Sequence, residues 1–311
     1  MISVVIPVYN EEENIGELHR ELRSVLQPMN IDYEIIFVDD GSTDSTFDGL
    51  IKVHEIDNNV RIIKFRRNFG QTAAMSAGFD QAKGEIVVTM DGDLQNDPSD
   101  IPKMIKKIES EDYDVICGWR HMRKDSLPKK NISKFANILR KNLVGGLTIH
   151  DSGCTMRIYK SECLRNLNIY GEMHRYIPNL LNWKGYKIGE IKVNHRKRSY
   201  GITKYNWRRI IRGFLDLMVV AFWQKYSFRP IHIFGLMGII LGIFGAIVAM
   251  YLVIERLFFG AALAERPLFM VSIFFVILGV QFFVTGILAD IMIKTYYGQN
   301  KEKNYLIERV I

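Results

Sequence analysis

Two long apolar runs near the end of the chain constrain its fold more than any other feature. They cover residues 231–254 and 267–289, and polar side chains are rare in both. Each run reaches the roughly 20 residues that an α-helix needs to cross the hydrocarbon core of a bilayer. A pair of buried core helices is the alternative, but two such runs joined by a short loop favour transmembrane helices. We therefore predict a membrane protein whose remaining residues form a water-soluble head.

Basic residues flank the two apolar runs, whereas the charges of the loop between them cancel. By the positive-inside rule, the head and both chain ends are then cytoplasmic and the loop lies outside. Because the positive charge clusters beside the predicted membrane, the net charge of +7 favours anionic lipid or an anionic substrate and argues against nucleic acid. The flanking residues are Arg208, Arg209, Arg212, Lys225 and Arg229 before the first run, and Lys294, Lys301 and Lys303 after the second.

Two further features agree with a multi-pass protein of the cytoplasmic (plasma) membrane. Residues 1–7 have the pattern of a β-strand and lack the basic region that opens a secretory signal peptide. The cysteines, at positions 117, 154 and 163, have no CxxC spacing and no pairing pattern, which suits a reducing cytosol.

Strand-like and helix-like segments alternate along the first part of the head. This alternation predicts an α/β fold in which a mostly parallel sheet carries helices on both faces. Ligands of such sheets bind beyond the carboxyl ends of the strands. The predicted strands cover residues 3–8, 33–38, 60–65 and 85–90, and the predicted helices cover 11–26, 45–54 and 70–82.

Polar and acidic side chains follow the first two predicted strands. Tyr9 and Glu11 follow the first, where the ring could lie against a base and the carboxylate could accept a hydrogen bond from a ribose or base. Asp39 and Asp40 follow the second, and their carboxylates could also accept hydrogen bonds from a nucleoside. The sequence therefore indicates a nucleotide pocket at this edge.

Asp91 and Asp93 follow the fourth predicted strand, one residue apart. Side chains at i and i+2 of an extended segment point the same way, so both carboxylates can aim at one point. Two like charges held so close need a cation, and oxygen ligands suit Mg²⁺ or Mn²⁺. Such a metal commonly contacts the phosphate oxygens of a substrate as well.

Helix capping is the alternative interpretation of these polar residues. Asn10, Ser42 and Asp44 suit helix starts, and Asp97 or Asp100 could cap the helix that follows the carboxylate pair. Three acidic strand ends in one sheet are nevertheless hard to explain by capping alone. The sequence has no GxGxxG and no GxxxxGK[ST] pattern, so neither a Rossmann dinucleotide site nor a P-loop is indicated.

Four segments, IPVYNEEENI, VDDGSTD, RRNFGQTAAMSAG and MDGDLQNDP, resemble the GT-A head of family 2 glycosyltransferases in order and spacing. Within that family the chain is most similar to polyisoprenyl-phosphate glycosyltransferases, of the dolichol-phosphate mannose synthase and undecaprenyl-phosphate glucosyltransferase type. The resemblance covers about residues 2–210.

The resemblance implies a donor nucleotide-sugar site and a site for Mg²⁺ or Mn²⁺. In the metal site, Asp91 and Asp93 would bind the ion with Gln95 beside them, and Gly92 stands where many relatives have alanine. The nucleotide pocket would be lined by Pro7, Tyr9, Glu11, Val38 and Asp40, with Asp39 in support.

The resemblance also assigns cationic residues. Arg120 matches an arginine near the diphosphate and the acceptor phosphate, while Arg198 and Lys204 match an R-x-x-G-x-S-K pattern with Thr in place of Ser. Lys130 or Lys134 would bind the lipid phosphate. Residues 151–157 and 174–178 resemble family segments near the acceptor.

The implied reaction is the inverting transfer of a hexose from a UDP- or GDP-sugar to the phosphate of a polyprenyl or dolichyl phosphate. The acceptor monoester is largely a dianion at pH 7, because its second pKa is about 6, so a strong general base is dispensable. A processive polysaccharide synthase is the enzymatic alternative, but the Q-x-x-R-W pattern of such enzymes is absent from the sequence. A non-catalytic module that binds nucleotide sugar is the alternative from another class.

The predicted organisation has four parts: a GT-A catalytic domain at 1–204, an interfacial amphipathic helix at 205–228, two transmembrane helices at 229–294 and a cytoplasmic tail at 295–311. Within the first apolar run, Gly238 and Gly242 form a G-x-x-x-G pair. Small residues at this spacing permit close helix contacts, within a subunit or in a homo-oligomer.

Overall fold

The computed structural model describes residues 1–120, 149–165, 167–171, 173–196, 231–260, 266–298 and 307–310. The chain divides into two compact units. Unit 1 comprises Met1–Val220 and Lys303–Ile311, and unit 2 comprises Ala221–Glu302.

A single mixed sheet organises unit 1. Its strands lie in the order β7-β5-β6-β4-β1-β2-β3-β8. The parallel pairs are β1–β2, β1–β4, β2–β3 and β5–β7. Two strands are antiparallel to their neighbours: β6, which lies between β4 and β5, and β8, which pairs with β3. The strands are β1 Ile2–Val8, β2 Tyr33–Asp39, β3 Val60–Phe65, β4 Ile86–Thr89, β5 Val115–Trp119, β6 Arg157–Lys160, β7 Ile188–Lys192 and β8 Ile307–Val310.

The central strands are rich in Ile and Val because both of their faces are covered, as is typical of parallel sheets. Helices pack over them through apolar stripes at a spacing of three to four residues. In α1 this stripe consists of Ile15, Leu18, Leu22 and Leu26, all buried. The helices of unit 1 are α1 Ile15–Leu26, α2 Thr46–Ile56, α3 Gln71–Gln81, α4 Ile101–Ser110, α5 Ser161–Leu164 and α6 Ile177–Trp183, with short 3-10 turns at Gln27–Met29, Pro98–Asp100 and Met173–Tyr176.

The predicted βαβ alternation and the mostly parallel sheet are confirmed, with two local differences that bear on function. β4 ends at Thr89, so Asp91 and Asp93 lie in the bend after the strand and their proximity does not come from strand geometry. α1 begins at Ile15 and not at residue 11, because Asn10 has a left-handed φ of 55° and the chain makes a turn before the helix.

The last described strand was not expected from the sequence. β8 pairs with the edge strand β3, with Ile63 opposite Val310 and Lys64 opposite Arg309. The sequence analysis assigned these residues to a tail. Edge strands offer unpaired backbone groups, and β8 occupies the open edge of β3.

Unit 2 contains two long helices, α7 Ile231–Phe259 and α8 Pro267–Gly298. By length and composition, both could cross a membrane. They approach closely at glycines: a Cβ on Gly238 would lie 2.6 Å from the carbonyl oxygen of Gly279, and a Cβ on Gly279 would lie 2.6 Å from the backbone nitrogen of Gly242. The G-x-x-x-G pair therefore makes a contact within this chain.

Candidate active site

The carboxyl ends of β1 to β5 and of β7 meet at one edge of the sheet. β1, β2, β3 and β4 are parallel, and β4 and β5 share β6 as an antiparallel neighbour, so they run in the same direction. Ligand sites of open parallel sheets lie at this edge. The residues that follow these strands are therefore the candidates for binding and catalysis.

The turns after β1 and β2 are bound to each other. The backbone N–H of Asn10 donates to Ser42 Oγ at 3.0 Å, and the N–H of Thr43 donates to Asn10 Oδ1 at 2.9 Å. The N–H of Glu11 donates to Thr46 Oγ1 at 2.8 Å. These bonds hold the predicted nucleotide residues of both turns side by side.

The predicted pocket residues of the first two strands occupy this region. Pro7 lies opposite Val38 in the β1–β2 register. Tyr9 is half-buried, and Glu11 accepts a hydrogen bond from Asn14 Nδ2 at 2.5 Å. Pro7 is also half-buried, whereas Val38 is fully enclosed.

Asp39 and Asp40 differ in what they bind. Both oxygens of Asp40 accept backbone N–H groups, from Phe69 at 2.7 Å and from Gly70 at 2.9 Å. One oxygen of Asp39 accepts the N–H of Ser42, while its Oδ2 is buried without a hydrogen-bond partner among the described residues. Burial raises the pKa of both carboxyls. Asp40 thus fixes the loop before α3, whereas Asp39 has one buried oxygen to which no described residue donates.

Asp91 and Asp93 form the acidic centre of the edge. Gln71 Nε2 donates to Asp91 Oδ1 at 2.7 Å, and Thr155 Oγ1 donates to Asp91 Oδ2 at 2.6 Å. Asp93 is buried and accepts the N–H of Gln95 at 3.1 Å. Desolvation, together with the neighbouring charge of Asp93, raises the pKa of Asp91 to about 6.

The backbone around the two carboxylates is tightly constrained. A Cβ on Gly92 would lie 2.7 Å from Val8 Cγ1, which explains why glycine suits this position here. The buried Leu94 has a left-handed φ of 60°. A non-glycine residue in this conformation costs on the order of 1 kcal/mol or more, and such residues cluster at functional sites.

A divalent cation fits this donor set. The described residues contain no cluster of three or more His, Cys, Asp and Glu side chains in position to bind a metal. Mg²⁺ is commonly held by one or two carboxylates together with substrate phosphates and water, which matches Asp91 and Asp93. Desolvation and then the charge of Asp93 raise the pKa of Asp91, and a bound cation would counter both by stabilising the ionised carboxylate.

Arg120, at the end of β5, forms a bidentate ion pair with Asp151. Its Nε donates to Asp151 Oδ2 at 2.6 Å and its Nη2 to Oδ1 at 2.9 Å. Although burial alone lowers the pKa of Arg120, Asp151 holds it above the ordinary value. The positive charge of Arg120 also acts on Asp91, where it lowers the pKa of the carboxyl against the larger effect of desolvation.

The capping interpretation holds for part of the polar set. Asp44 and Asp97 each accept the backbone N–H of the residue two positions further on, as capping side chains do. Asn10 and Ser42 bond each other, and Asp100 accepts from a different segment. Neither Asp91 nor Asp93 caps a helix in the described structure.

Four predicted residues, Arg198, Lys204, Lys130 and Lys134, lie outside the described residues. The described chain does reach Arg196, whose N–H donates to the carbonyl oxygen of Gln95 at 2.9 Å. The segment that leads to Arg198 is therefore joined to the turn of the acidic centre.

Three residues of the site received no role from the sequence: Gln71, Asp151 and Thr155. Gln71 lies 20 positions before Asp91 and Thr155 lies 64 positions after it. All three fall in segments that resemble the family, but no periodicity or spacing indicates which side chain reaches which carboxylate. Their contacts are a product of the tertiary fold.

The mostly parallel sheet, the acidic residues at the carboxyl ends of its strands and the antiparallel β6 between β4 and β5 define a GT-A-type α/β protein. The model of the family described as Glycosyl transferase family 2 matches residues 3–167. The chain belongs to this glycosyltransferase family.

Relatives extend the similarity over the whole chain. It is 38% identical over 312 residues to the dodecaprenyl-phosphate galacturonate synthase of Rhizobium johnstonii, covering 99% of this chain and 92% of the relative. It is 33% identical to the undecaprenyl-phosphate 4-deoxy-4-formamido-L-arabinose transferase of Salmonella choleraesuis, covering 100% and 93%.

Solved structures share the fold at lower identity. The glucosyl-3-phosphoglycerate synthase of Mycobacterium tuberculosis superimposes with a TM-score of 0.56 at 18% identity, covering 72% of this chain and 80% of that chain. Another structure of that enzyme, which contains Mn²⁺, UDP and its glucosylated product, has a TM-score of 0.54 at 19% identity, covering 71% and 80%.

Proposed function

We propose that this protein transfers a sugar from a nucleotide sugar to the phosphate of a polyprenyl phosphate in the membrane. The observation that carries the proposal is the proximity of two like charges, Asp91 and Asp93, with the partly buried cation of Arg120 acting on Asp91. Relatives along the full length of the chain are polyprenyl-phosphate sugar transferases by name. Two helices of spanning length on the same chain suit a lipid acceptor.

The nucleotide would bind against the turns after β1 and β2. The buried Oδ2 of Asp39 has no hydrogen-bond donor among the described residues, and a buried acceptor of this kind is costly unless a donor reaches it. Glu11 and the half-buried Tyr9 border the same turns. The sugar and diphosphate would then extend towards Asp91 and Asp93.

Asp91 and Asp93, with Gln95 beside them, would hold a divalent cation, Mg²⁺ or Mn²⁺. When bound, it would supply Lewis-acid stabilisation of the charge that develops on the departing nucleotide diphosphate. A related fold binds Mn²⁺ together with UDP, which supports this assignment. The backbone N–H of Gln95 donates to Asp93, so Gln95 also helps to orient that carboxylate.

Arg120 contributes a fixed positive charge. Asp151 grips it through two hydrogen bonds, so the guanidinium is preorganised before substrate arrives. The acceptor phosphate is largely dianionic at pH 7, and its oxygen attacks the anomeric carbon while the nucleotide diphosphate leaves. Holding that nucleophile in line is a positioning effect that needs no general base. Attack from the side opposite the leaving group inverts the anomeric configuration.

The membrane part of the proposal follows the charge distribution. Basic residues flank the apolar helices at their outer ends, which favours a cytoplasmic head and a hairpin of two spans. The pairing of β8 with β3 joins the end of the chain to the sheet of unit 1, as a hairpin with both ends on one side allows. Nucleotide sugar and the lipid headgroup would then meet on the cytoplasmic face.

The experiment is a donor screen with the full-length protein in detergent, Mn²⁺ and a short polyprenyl phosphate. Donors would include UDP-glucose, UDP-galacturonate, UDP-N-acetylglucosamine and GDP-mannose, and transfer of label to the organic phase would be measured. We expect one donor to give a lipid-phosphate sugar whose formation stops with EDTA.

Two other results would contradict the proposal. Water-soluble polymer or donor hydrolysis without a lipid product would indicate a different acceptor. Nucleotide binding without turnover of any donor would favour a non-catalytic module. Asp93→Asn is the matched control for the screen, because it removes one charge from the acidic centre without changing the size of the side chain.

A further inference from the structure

We propose that Gln71 and Thr155 are positioning residues that hold Asp91 in the orientation required to bind the divalent cation. This inference rests on the proposed function of Asp91 and Asp93 and adds the two side chains that orient one of them. Gln71 donates to one oxygen of Asp91 at 2.7 Å and Thr155 to the other at 2.6 Å. We call these three side chains the Asp91 clamp.

The clamp binds both carboxylate oxygens of Asp91 but leaves them able to accept a further bond. Each oxygen of an ionised carboxylate has two lone-pair positions, and each clamp donor uses one. The donors therefore fix the plane of the carboxylate while its remaining lone pairs stay available. A ligand held in this way loses less freedom when the cation binds.

Hydrogen bonds hold the chain segment around Gln71 on both sides of that residue. Gly70, which precedes it, donates its N–H to Asp40 at 2.9 Å. Thr72, which follows it, hydrogen-bonds through Oγ1 to the buried His174 Nδ1 at 2.7 Å. The backbone of Gln71 is thus held at the first turn of α3, and its side chain extends to Asp91.

Hydrogen bonds also hold the backbone and the side chain of Thr155 in place. Its carbonyl oxygen accepts from Thr89 Oγ1 at 2.7 Å, at the end of β4. Asn96 Nδ2 donates to Thr155 Oγ1 at 3.2 Å. Because the amide occupies a lone pair of the hydroxyl, the single hydroxyl proton of Thr155 is directed to Asp91.

One buried arginine connects the chain segments that support Gln71 and Thr155. Arg157 is 2% exposed and donates from Nη1 to the carbonyl oxygen of His174 and from Nη2 to that of Ser152, both at 2.8 Å. His174 supports Thr72 next to Gln71, and Ser152 lies in the loop that carries Thr155. The spacing of the two clamp donors is therefore set by a rigid connection.

The arrangement distinguishes Asp91 from its neighbour. Asp93 accepts a backbone N–H from its own turn, whereas Asp91 is oriented by side chains from two segments distant in sequence. Asp91 follows the end of β4, where the strand no longer dictates its direction. Side-chain donors from elsewhere in the fold supply that direction.

The test compares variants that remove a donor with variants that keep it. Gln71→Met has a similar length without the amide, and Thr155→Val has a similar shape without the hydroxyl, while Thr155→Ser retains the donor. Mn²⁺ binding to the full-length protein is measured by electron paramagnetic resonance in the presence of UDP. We expect Gln71→Met and Thr155→Val each to weaken binding about tenfold, which is about 1.4 kcal/mol. Thr155→Ser should bind within about twofold of the unchanged protein.

Kinetics separate positioning from general damage. If the clamp orients a metal ligand, the KM for Mn²⁺ rises in Gln71→Met and Thr155→Val, and kcat recovers at saturating Mn²⁺. Gln81→Met is the matched control, since it makes the same chemical change at the far end of α3, where Gln81 contacts Arg61. It should change neither Mn²⁺ binding nor the KM for Mn²⁺.

The outcomes distinguish this inference from the proposed function. Mn²⁺ binding that is lost in Asp93→Asn but unchanged in both Gln71→Met and Thr155→Val would overturn the clamp and leave the metal site intact. Binding that is equal in the unchanged protein and Asp93→Asn would overturn the metal site itself. Circular dichroism and thermal melting of each variant exclude misfolding as the cause of a loss.

Discussion

Two carboxylates at opposite ends of the same sheet, the buried Glu34 and the half-buried Asp91, have opposite environments. At the amino end, Glu34 accepts from Ser3 Oγ at 2.6 Å, from Arg61 Nη1 at 2.8 Å and from the N–H of Lys83 at 2.7 Å. Burial would raise the pKa of Glu34, but these three donors lower it below the ordinary value.

At the carboxyl end, desolvation and Asp93 raise the pKa of Asp91 to about 6, and the two neutral donors of the clamp offset this only in part. No described cation pairs with Asp91, and Arg120 is engaged by Asp151. The negative charge of Glu34 is thus balanced by donors within the protein, whereas the described residues balance the negative charge of Asp91 only in part. Glu34 is therefore expected to contribute to stability, and Asp91 is the carboxylate that a bound cation would stabilise.

The largest expected effect tests the carboxyl end. Asp91→Asn or Asp93→Asn should reduce turnover by a factor on the order of 10³, because the charge that binds the cation is lost. Stability should stay equal or increase, since each change removes a repulsion between like charges. Activity assays and thermal melting of the same preparations check both parts. Full metal-dependent activity in both variants would contradict the site.

The next effect concerns the cation beside the acidic pair. Arg120→Gln should lower kcat by a factor on the order of 10², because it removes a preorganised positive charge. Arg120→Lys should recover part of the loss, since it keeps the charge but not the two-pronged contact with Asp151. Steady-state kinetics with both substrates saturating measure this. An unchanged kcat in Arg120→Gln would mean that its charge does not act in the reaction.

Glu34→Gln should have the opposite profile. It breaks an enclosed ion pair and should lower the free energy of unfolding by about 2 kcal/mol. Binding of Mn²⁺ should not change, because the residue lies at the other end of the sheet. Chemical denaturation and Mn²⁺ titration provide the two readouts. A variant that retains its stability but loses Mn²⁺ would reverse the comparison.

The same residue predicts a pH dependence of stability. The folded pKa of Glu34 is lower than that of the unfolded chain, so the unfolded state binds more protons at acidic pH. The stabilisation is therefore present above the model-peptide value of 4.5 and is lost as the pH falls through the folded pKa. Denaturation curves between neutral and acidic pH should show a smaller loss in Glu34→Gln than in the unchanged protein. Parallel losses would contradict this account.

Gly92→Ala should have a small effect on stability, and it sharpens the account of the turn. The new Cβ would approach Val8 Cγ1 to 2.7 Å, so the valine must move, at a cost of about 1 kcal/mol. Val8→Ala alone should also lower stability by opening a cavity, but in that background Gly92→Ala should cost less because the contact is then absent. Thermal melting of the single and double variants measures the difference.

The smallest expected effect concerns the cysteine thiols, which should not react in the folded protein. Cys117, Cys154 and Cys163 are buried, and burial raises their pKa values to about 12, 11 and 12. Thiolates are the reactive form, so the native thiols should stay protonated and unreactive at pH 8. Thiol reagents should label them only after unfolding. Rapid labelling of the folded protein would show that the packing at these positions opens readily.

Sequence patterns predicted the frame of this molecule well. The Ile- and Val-rich strands, the helical stripes between them and the two apolar helices follow from local periodicity and hydrophobicity, which neighbouring residues determine. The carboxylates at the strand ends were also evident, because a parallel sheet brings its carboxyl ends to one edge. That part of the site needed only the order of elements.

What the sequence could not provide were contacts between distant segments. Gln71 and Thr155 meet Asp91 only because α3 and the loop before β6 reach the same edge of the sheet. β8 joins β3 across more than two hundred residues of sequence, and local patterning does not encode such a partner. The left-handed backbone of Leu94 is held by surrounding packing rather than by its own preference.

The sequence by itself therefore determined the fold class, the acidic edge and a pair of helices long enough to span a bilayer. Only the tertiary structure decided that donors within the protein balance the charge of Glu34. It also decided that side chains from distant segments orient Asp91, and that one buried oxygen of Asp39 has no donor among the described residues. The physical reason is that desolvation and hydrogen bonding depend on every group around a carboxylate, whereas periodicity and hydrophobicity depend only on neighbours along the chain.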